Sequence, residues 1–284
     1  MAVKFPQFLF EPPSGVSRAA APAPTGSVPT DPDTILGIAL DVGAETLRCG
    51  GEIHRVEDTV TRICRAYGAE AVDVFAITSL ITAEVRMPDG ASATRVRRVE
   101  TAYNHLARLE ACNALSRAIC KTPVAADVVE TRLDAIRHYR PIPRWLHYVG
   151  AMLATGGCAV FFGGTWLDGL AAAAIALLVT FLGQLHPVRM HSMVKTLLSS
   201  FLGGVLSVLL VRVGFGHNVD KVIIGTIMLE IPGLSFGNAL RDLLCGDTLA
   251  GTMRSIQAVL QALMIAAGYM AALLPLNPLM GGAA

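Results

Sequence analysis

The distribution of charge along the chain limits its possible folds more than any other feature of the sequence. Asp, Glu, Lys and Arg are dense up to Arg144 and sparse beyond it, where long apolar stretches follow one another. Only 16% of the residues are charged, against about 25% in ordinary soluble domains. We therefore expect an α-helical membrane protein with an N-terminal polar part and a membrane-embedded part over residues 141–284.

Five stretches beyond Arg144 are candidates for transmembrane helices. A span needs about 20 apolar residues. The third candidate has only sixteen uncharged residues, between Lys195 and Arg212, and its flanking basic side chains can reach the interfaces to make up the difference. The predicted spans lie near residues 145–164, 166–185, 195–212, 220–238 and 255–274.

Lys and Arg are unevenly distributed over the two sides of these spans. Arg212 and Lys221 fall on one side. The other side carries Arg137, Arg140, Arg144, Arg189, Lys195, Arg241 and Arg254. By the positive-inside rule, this bias places the N-terminus in the cytoplasm and the C-terminus outside, in a multi-pass protein of the cell inner (plasma) membrane.

The N-terminal part divides into a tail and a small domain. Residues 1–33 are rich in Pro and Ala and predict a disordered tail without a secretory signal. Residues 34–140 predict a cytoplasmic α+β domain: two helices, of which the first is capped by Asp33 or Thr34, then a hairpin or small antiparallel sheet around Pro88-Asp89-Gly90. Two further helices follow, the last one capped at Thr122-Pro123.

Several functional classes find no support in the sequence. The net charge of +1 gives no basic face for nucleic acid, and the six cysteines form no CxxC pair. No nucleophile elbow, phosphate-binding loop or zinc-protease motif is present, so we expect neither an enzyme nor a cofactor. His54 and Asp58 share a helix face near Cys49, but without a second ligand cluster we interpret them as a solvated face rather than a metal site.

The most unusual polar residues lie inside the fourth predicted span. Glu230 is a carboxylate within an apolar run, and Pro232 and Gly233 follow at once. Proline removes a helix hydrogen bond, and broken helices are tolerated at depth where the freed backbone lines a cavity. The three residues therefore predict a transport site, with Glu230 as proton carrier or as ligand for a substrate ammonium. The alternatives are that Glu230 lies nearer a membrane interface, or that it pairs structurally with a basic residue of a neighbouring helix.

A second group of polar residues follows the fourth span. Arg241 and Asp242 are sequence neighbours, so on a helix they point about 100° apart and are expected to bind different partners. Two interpretations are open: a solvated cytoplasmic loop, or a gate in which Arg241 recruits a substrate carboxylate. The group comprises Asn238, Arg241, Asp242, Asp247 and Arg254.

Four segments together resemble the N-terminal half of the threonine/serine exporter family from about Asp33 to Leu274. They are "CGGEIHRVEDTVTRICRAYGAEAVDVFAITSLITAEV", "PRWLHYVG", "GGTWLDG" and "LEIPGLSFGNALRDLLCGDTLAGTMR". A cytoplasmic motif is carried by Arg55, Val56 and Glu57. The most specific positions are Pro232, Gly233, Asn238, Asp242, Gly246 and Gly251.

The resemblance implies an inner-membrane secondary exporter of small hydrophilic metabolites driven by the proton gradient. Single-chain members have about ten spans in two halves, which as inverted repeats would place the substrate site at their interface. In other members the halves are separate chains, and such a pair is associated with succinate rather than threonine. With five predicted spans, this sequence resembles the split type, so we expect a hetero-oligomer with a second-half membrane subunit.

Two hypotheses for the function follow. In the first, the chain is an exporter subunit that moves threonine, serine or a small dicarboxylate outward in exchange for protons. In the second, the spans anchor an α+β module that regulates or assembles a partner and conducts no solute itself.

Overall fold

A computed structural model describes residues 27–99, 104–139, 143–185 and 191–280, most of them helical. The chain forms two compact units. Unit 1 consists of Met1–Pro141 and Gly237–Arg254, and unit 2 of Ile142–Phe236 and Ser255–Ala284. Most of the predicted disordered tail lies outside the described residues. Arg140 and Arg189, which contribute to the predicted membrane orientation, also lie outside them.

The N-terminal part of unit 1 contains four helices and one sheet. The antiparallel sheet has the order β1-β2-β3, and β2 buries Ile81, Ala83 and Val85 on the face toward α1 and α2. The elements are α1 Pro32–Arg48, α2 Ile53–Ala66, β1 Ala71–Ile77, β2 Leu80–Arg86, β3 Ser92–Arg98, α3 Leu106–Lys121 and α4 Ala126–His138.

Two predicted helix starts are wrong by a few residues. Helix α1 begins at Pro32, and its cap is Asp31, whose Oδ2 accepts from the Thr34 amide at 3.0 Å. Proline at the first position of a helix has the required φ and loses no hydrogen bond there. Helix α4 begins only at Ala126, because the Tyr67 hydroxyl donates to the Val124 carbonyl at 2.7 Å and holds that stretch outside the helix.

Unit 2 is built from helices alone within the described residues. Two helices of the described chain are long and apolar enough to cross a membrane, Ser192–Arg212 and Thr248–Leu276; Trp145–Phe161 and Trp166–Leu182 are apolar but shorter. Helices α9 and α10 contribute residues to both units. The remaining elements are α5 Arg144–Phe161, α6 Trp166–Leu185, α7 Ser192–Arg212, α8 Val219–Ile227, α9 Gly233–Cys245 and α10 Thr248–Met280.

Small residues bring α7 and α10 into close contact in unit 2. A Cβ atom on Gly204 would lie 2.7 Å from Cβ of Ala272, and one on Gly268 would lie 2.6 Å from the Leu197 carbonyl oxygen. Because apolar side chains gain little by leaving lipid for a protein interior, membrane helices associate through such close backbone packing. Small residues therefore allow the backbones of this helix pair to approach closely.

We expect the Gly268→Ala variant to destabilise unit 2 by about 1–3 kcal/mol, the usual cost of overpacking a close contact. The added methyl group would meet the Leu197 carbonyl oxygen at 2.6 Å and the Phe201 amide nitrogen at 3.0 Å, and backbone atoms cannot swing away. Thermal unfolding of the purified chain in detergent measures the effect. Gly157→Ala is the matched control, since a Cβ atom there meets nothing within 4 Å; equal melting temperatures for the two variants would contradict this packing.

Asp168 joins the start of α6 to the loop between α7 and α8. Its side chain is fully buried. Oδ1 accepts from the amides of His217 at 2.6 Å and Asn218 at 2.9 Å, and Oδ2 accepts from the Thr165 amide at 2.8 Å. A buried carboxylate with this many donors is stabilised in its charged form. Asp168 is therefore a structural residue that fixes this loop.

The Asp168→Ala variant should lose about 2–4 kcal/mol of unfolding free energy, because each buried donor left without an acceptor costs about 1–3 kcal/mol. Asp220→Ala is the control: Asp220 is 65% exposed and pairs with Lys221 at 3.1 Å, so its loss should cost less than about 1 kcal/mol. Denaturant titration in detergent compares the two. A loss no larger at Asp168 than at Asp220 would show that the loop does not depend on the carboxylate.

Candidate functional site

The helix interruption predicted at Pro232 is present in the structure. Helix α8 ends at Ile227, and α9 begins at Gly233. The Ile231 amide still donates to the Ile227 carbonyl at 3.2 Å, whereas proline has no amide hydrogen with which to continue the ladder. Glu230 thus lies in a non-helical stretch between two helices, within the most polar part of an otherwise apolar segment.

The carboxylate of Glu230 is bound by a hydroxyl and not by a cation. The side chain is half-buried, and it accepts a hydrogen bond from the Ser200 hydroxyl of α7. Gln261 of α10 donates through Nε2 to the Glu230 backbone carbonyl at 3.2 Å. Among the residues that the structure describes, no Lys, Arg or His forms an ion pair with Glu230. The structure therefore gives no support to a structural ion pair at this position.

A second hydrogen bond lies one helical turn before Glu230. Thr226 Oγ1 is 3.0 Å from the Tyr269 hydroxyl, and both side chains are buried. The Tyr269 ring packs against the α7 glycines, since a Cβ atom on Gly203 would lie 2.9 Å from its hydroxyl oxygen. We call this group the Glu230 cluster; it comprises Ser200, Thr226, Glu230, Gln261 and Tyr269.

Four members of the Glu230 cluster were not predicted from the sequence. Ser200, Gln261 and Tyr269 lie 30 or more positions from Glu230 and on other helices. Their occurrence as polar residues within apolar helices is a weak indication, because polar side chains inside apolar spans usually face protein rather than lipid. That indication does not say which polar residues meet, since the rotation of each helix about its axis is unknown from sequence.

Arg241 and Asp242 bind different partners in unit 1, as their spacing predicts. Arg241 forms an ion pair with Glu52. Asp242 is 1% exposed and accepts from Arg254 Nη1 at 2.7 Å and from the Ile53 amide at 3.3 Å. Because Glu52 makes no side-chain cap at the start of α2, Asp242 supplies the cap from 189 positions away.

Asn238 and Arg254 complete this attachment to the turn between α1 and α2. Asn238 Nδ2 donates to the Gly50 carbonyl at 3.1 Å, and Arg254 Nη2 donates to the Gly51 carbonyl at 2.8 Å. The interpretation of these residues as a solvated loop is therefore wrong for Asp242, which is buried with its cation. We call Asn238, Asp242 and Arg254 the anchor residues.

Two further carboxyl groups of unit 1, those of Glu57 and Asp247, lie near each other. Glu57 Oε1 accepts from the Ala76 amide of β1 at 2.8 Å. Burial raises the pKa of Glu57, and the nearby negative charge of Asp247 raises it further, against the lowering effect of the Ala76 hydrogen bond. Asp247 has a buried Oδ2 without a hydrogen-bond partner in the described part of the chain. Arg55, the other residue of the cytoplasmic motif, is exposed.

Cys49, His54 and Asp58 do not form a metal site in the structure. Asp58 pairs with Arg62 at 2.7 Å, His54 is exposed, and the buried Cys49 thiol lies 3.7 Å from Glu45 Oε1. No group of three or more His, Cys, Asp or Glu residues within the described ranges has the arrangement of a metal site. The structure agrees with the interpretation of His54 and Asp58 as surface residues.

Comparison with known proteins gives two matches and one negative result. A family model described as "Putative threonine/serine exporter" matches residues 37–274. A protein of Mycobacterium tuberculosis (strain ATCC 25618 / H37Rv) named "Probable threonine/serine exporter" is 28% identical over 153 residues, which are 53% of this chain and 29% of the relative. No solved structure matches the chain.

Proposed function

Because the chain belongs to the threonine/serine exporter family, we propose that it forms one half of a proton-coupled secondary exporter of small hydrophilic metabolites. The family is one of transporters, and the two long apolar helices support a place in a membrane. The observation that carries the proposal is Glu230: a half-buried carboxylate without a cationic partner among the described residues, placed at an interrupted helix. An unpaired carboxylate in an apolar environment is costly unless it changes protonation or binds a ligand in the course of function.

The geometry of the Glu230 cluster suits a carboxyl group that changes protonation state. The Ser200 hydroxyl donates to the ionised carboxylate, and the same hydroxyl can rotate to accept a hydrogen bond from the protonated acid. An arginine or lysine partner would instead hold the group in its charged form. We therefore assign Glu230 the role of proton carrier, with Pro232 and Gly233 supplying the interruption that exposes the site.

The chemistry of the cluster also ranks the substrates. Threonine and serine carry an ammonium group, which a carboxylate attracts, and a hydroxyl group, which the side chains of Ser200 and Thr226 can bind. A dicarboxylate such as succinate would be repelled by an ionised Glu230 and could bind only after the carboxylate is protonated. We propose threonine or serine as the first candidate and a small dicarboxylate as the second.

Efflux from proteoliposomes tests the substrate assignment. Vesicles that contain the chain and its second half are loaded with labelled threonine, serine or succinate and placed under an inward proton gradient. We expect threonine and serine to leave faster than succinate, and unlabelled threonine inside the vesicles to slow serine efflux. Preferential loss of succinate would reverse the ranking while leaving a proton-coupled exporter in place.

We propose five spans in the cell inner membrane, with the N-terminus cytoplasmic and the C-terminus outside. The distribution of Lys and Arg supports this orientation. Exposed aromatic side chains lie at both ends of the apolar helix α5: Trp145 is 64% exposed at its start, and Phe161 is 82% and Trp166 72% exposed at or just beyond its end. Aromatic residues are enriched at the two membrane interfaces.

We further propose that a second membrane half completes the pathway. An odd number of spans in each half gives the halves opposite orientations, and substrate sites of inverted repeats lie at the interface between them. The alignment covers only 29% of the relative, so that protein contains further chain that has no counterpart in the match. Efflux in the presence of the second half and none in its absence is the expected result.

The anchor residues favour a second candidate, a membrane-bound module that regulates or assembles a partner. Asn238, Asp242 and Arg254 are all engaged within unit 1 and need not contact a solute. In that case no label would leave the vesicles under any gradient, with or without the second half.

A further inference from the structure

Residues 237–254 form a tight helical hairpin in unit 1. The end of α9 is connected to the start of α10 by a turn at Gly246, whose φ of 97° is a conformation that favours glycine. The two helices are in close contact, since a Cβ atom on Gly251 would lie 2.7 Å from Leu243 Cγ and 2.8 Å from the Leu243 amide nitrogen. We call this segment the 237–254 hairpin.

The polar side of the 237–254 hairpin faces the interior of unit 1. Asn238 and Arg254 donate to carbonyls of the turn between α1 and α2, and Asp242 accepts from the Ile53 amide at the start of α2. Ala239 and Ala250 are buried beside them, and Ala250 belongs to the main core of unit 1. The hairpin is thus bound to unit 1 by charged and small residues.

The apolar side of the hairpin faces outward. Positions 240, 243 and 244 of α9 are three or four residues apart and therefore share a helix face, as do positions 249 and 253 of α10. The outward side chains are Leu240 (51% exposed), Leu243 (37%), Leu244 (80%), Leu249 (65%) and Met253 (40%), whose sulfur also accepts a hydrogen bond from the Thr78 hydroxyl at 3.8 Å. We call these five residues the outer face.

Both cations of the 237–254 hairpin are paired. Arg241, at the margin of the outer face, is 62% exposed and forms an ion pair with Glu52, and the other cation of the hairpin, Arg254, is paired with Asp242 inside. An amphipathic helix of a soluble domain has the opposite arrangement, with the apolar side buried and the charges outside. Contiguous exposed apolar surface of this kind marks a place that is covered by protein or by lipid.

We propose that the outer face lies in the interfacial region of the bilayer, where its leucines are covered by lipid. Leu249 and Met253 belong to Thr248–Leu276, a helix long and apolar enough to cross a membrane. The outer face is therefore continuous along the chain with an apolar helix of membrane-spanning length, and this continuity favours lipid over a partner protein. Interfacial helices of this type bury their apolar side about 5–10 Å into the boundary between headgroups and acyl chains.

The proposal needs only that the chain is a membrane protein and does not depend on the transported solute. In this proposal the residues after the fourth predicted span form a membrane-bound hairpin and not a water-exposed loop. Unit 1 would then be held at the bilayer surface through the hairpin and the anchor residues.

Cys245 is a native reporter for this proposal. It is exposed beside Leu244, whereas Cys49, Cys64 and Cys112 are buried. A nitroxide is attached to Cys245 in the full chain in liposomes, with Cys120 and Cys158 replaced by Ser. The matched control carries the nitroxide at Glu130→Cys, an exposed position of α4, in the same background with Cys245→Ser. Collisions with oxygen, which concentrates in lipid, and with a water-soluble nickel chelate are then compared.

We expect oxygen collisions to exceed nickel collisions at Cys245 and the reverse at position 130. Dominant nickel collisions at Cys245 would show that the outer face is in water. Low collision rates for both reagents would show a protein contact, for instance with a second copy of the chain. Either result would overturn the assignment to lipid, whether or not the vesicles transport threonine.

Discussion

Vesicles that contain the Glu230→Gln variant should show no proton-driven efflux, although the protein is inserted normally. The glutamine amide keeps the size of the side chain and can still accept a hydrogen bond from the Ser200 hydroxyl, so the packing around the Glu230 cluster is retained. The amide cannot take up or release a proton. A carrier that depends on this carboxyl group therefore loses the link between the proton gradient and movement of the solute.

Exchange experiments separate a coupling defect from a binding defect. With labelled threonine on one side and unlabelled threonine on the other, the Glu230→Gln variant should still exchange the two, because exchange needs no net proton movement. If Glu230 instead binds the substrate ammonium directly, exchange is lost as well. Glu84→Gln, at an exposed position of β2, is the matched control and should behave like the unchanged protein. Proton-driven efflux at the wild-type rate in Glu230→Gln would exclude Glu230 as the proton carrier.

The Arg254→Ala variant should lose about 3–5 kcal/mol of stability, the usual cost of removing one partner from a buried ion pair. Arg254 is 11% and Asp242 1% exposed, so the remaining carboxylate cannot be solvated by water. The change also removes the donor to the Gly51 carbonyl at 2.8 Å. Arg62→Ala is the control: its partner Asp58 is 44% exposed and Arg62 itself 69%, so that loss should be about 1 kcal/mol or less.

The loss of unfolding free energy in Arg254→Ala should depend on pH, and the raised pKa of Asp242 sets the direction of this dependence. Burial raises the pKa of Asp242 more than Arg254 lowers it. A carboxyl group whose pKa is higher in the folded state opposes folding when ionised, and the folded state gains stability as the pH falls through the raised value. Removal of Arg254 takes away the lowering charge, so the deficit should be largest at neutral pH and shrink on acidification. Unfolding in detergent over a pH series measures it.

The Asp242→Asn substitution tests whether the unpaired carboxylate of Asp242 causes the loss of stability in Arg254→Ala. In the Asp242→Asn background the Arg254→Ala change should cost clearly less, because no buried charge is left without a partner. Equal costs in the two backgrounds would mean that Arg254 acts through its bond to the Gly51 carbonyl and not through the ion pair.

The sequence predicted those features that depend on local chemistry. Pro232 interrupts the helix because its nitrogen carries no hydrogen, and this holds in any tertiary context. The different partners of Arg241 and Asp242 follow from the 100° rotation between neighbouring helix positions. The antiparallel sheet follows from alternating apolar residues that flank a turn with Pro88 and Gly90.

Long-range partners could not be predicted in the same way. Ser200 and Gln261 meet Glu230 because helices α7 and α10 have particular rotations about their axes, which are set by close contacts such as those at Gly204 and Gly268. Asp242 caps a helix 189 positions earlier. Its neighbours in the sequence give no sign of this, and a charged residue after an apolar span is ordinarily interpreted as part of a solvated loop.

The most direct test of the central claim is a measurement of proton movement that accompanies the substrate. Liposomes that hold the chain, its second half and a pH-sensitive dye are loaded with threonine and diluted into threonine-free buffer without an imposed pH gradient, with the membrane potential clamped. Outward movement of threonine should draw protons inward and acidify the vesicle interior in the wild type, and Glu230→Gln should abolish this acidification. Threonine efflux from the wild type without any change of internal pH would contradict the assignment of Glu230 as the proton carrier.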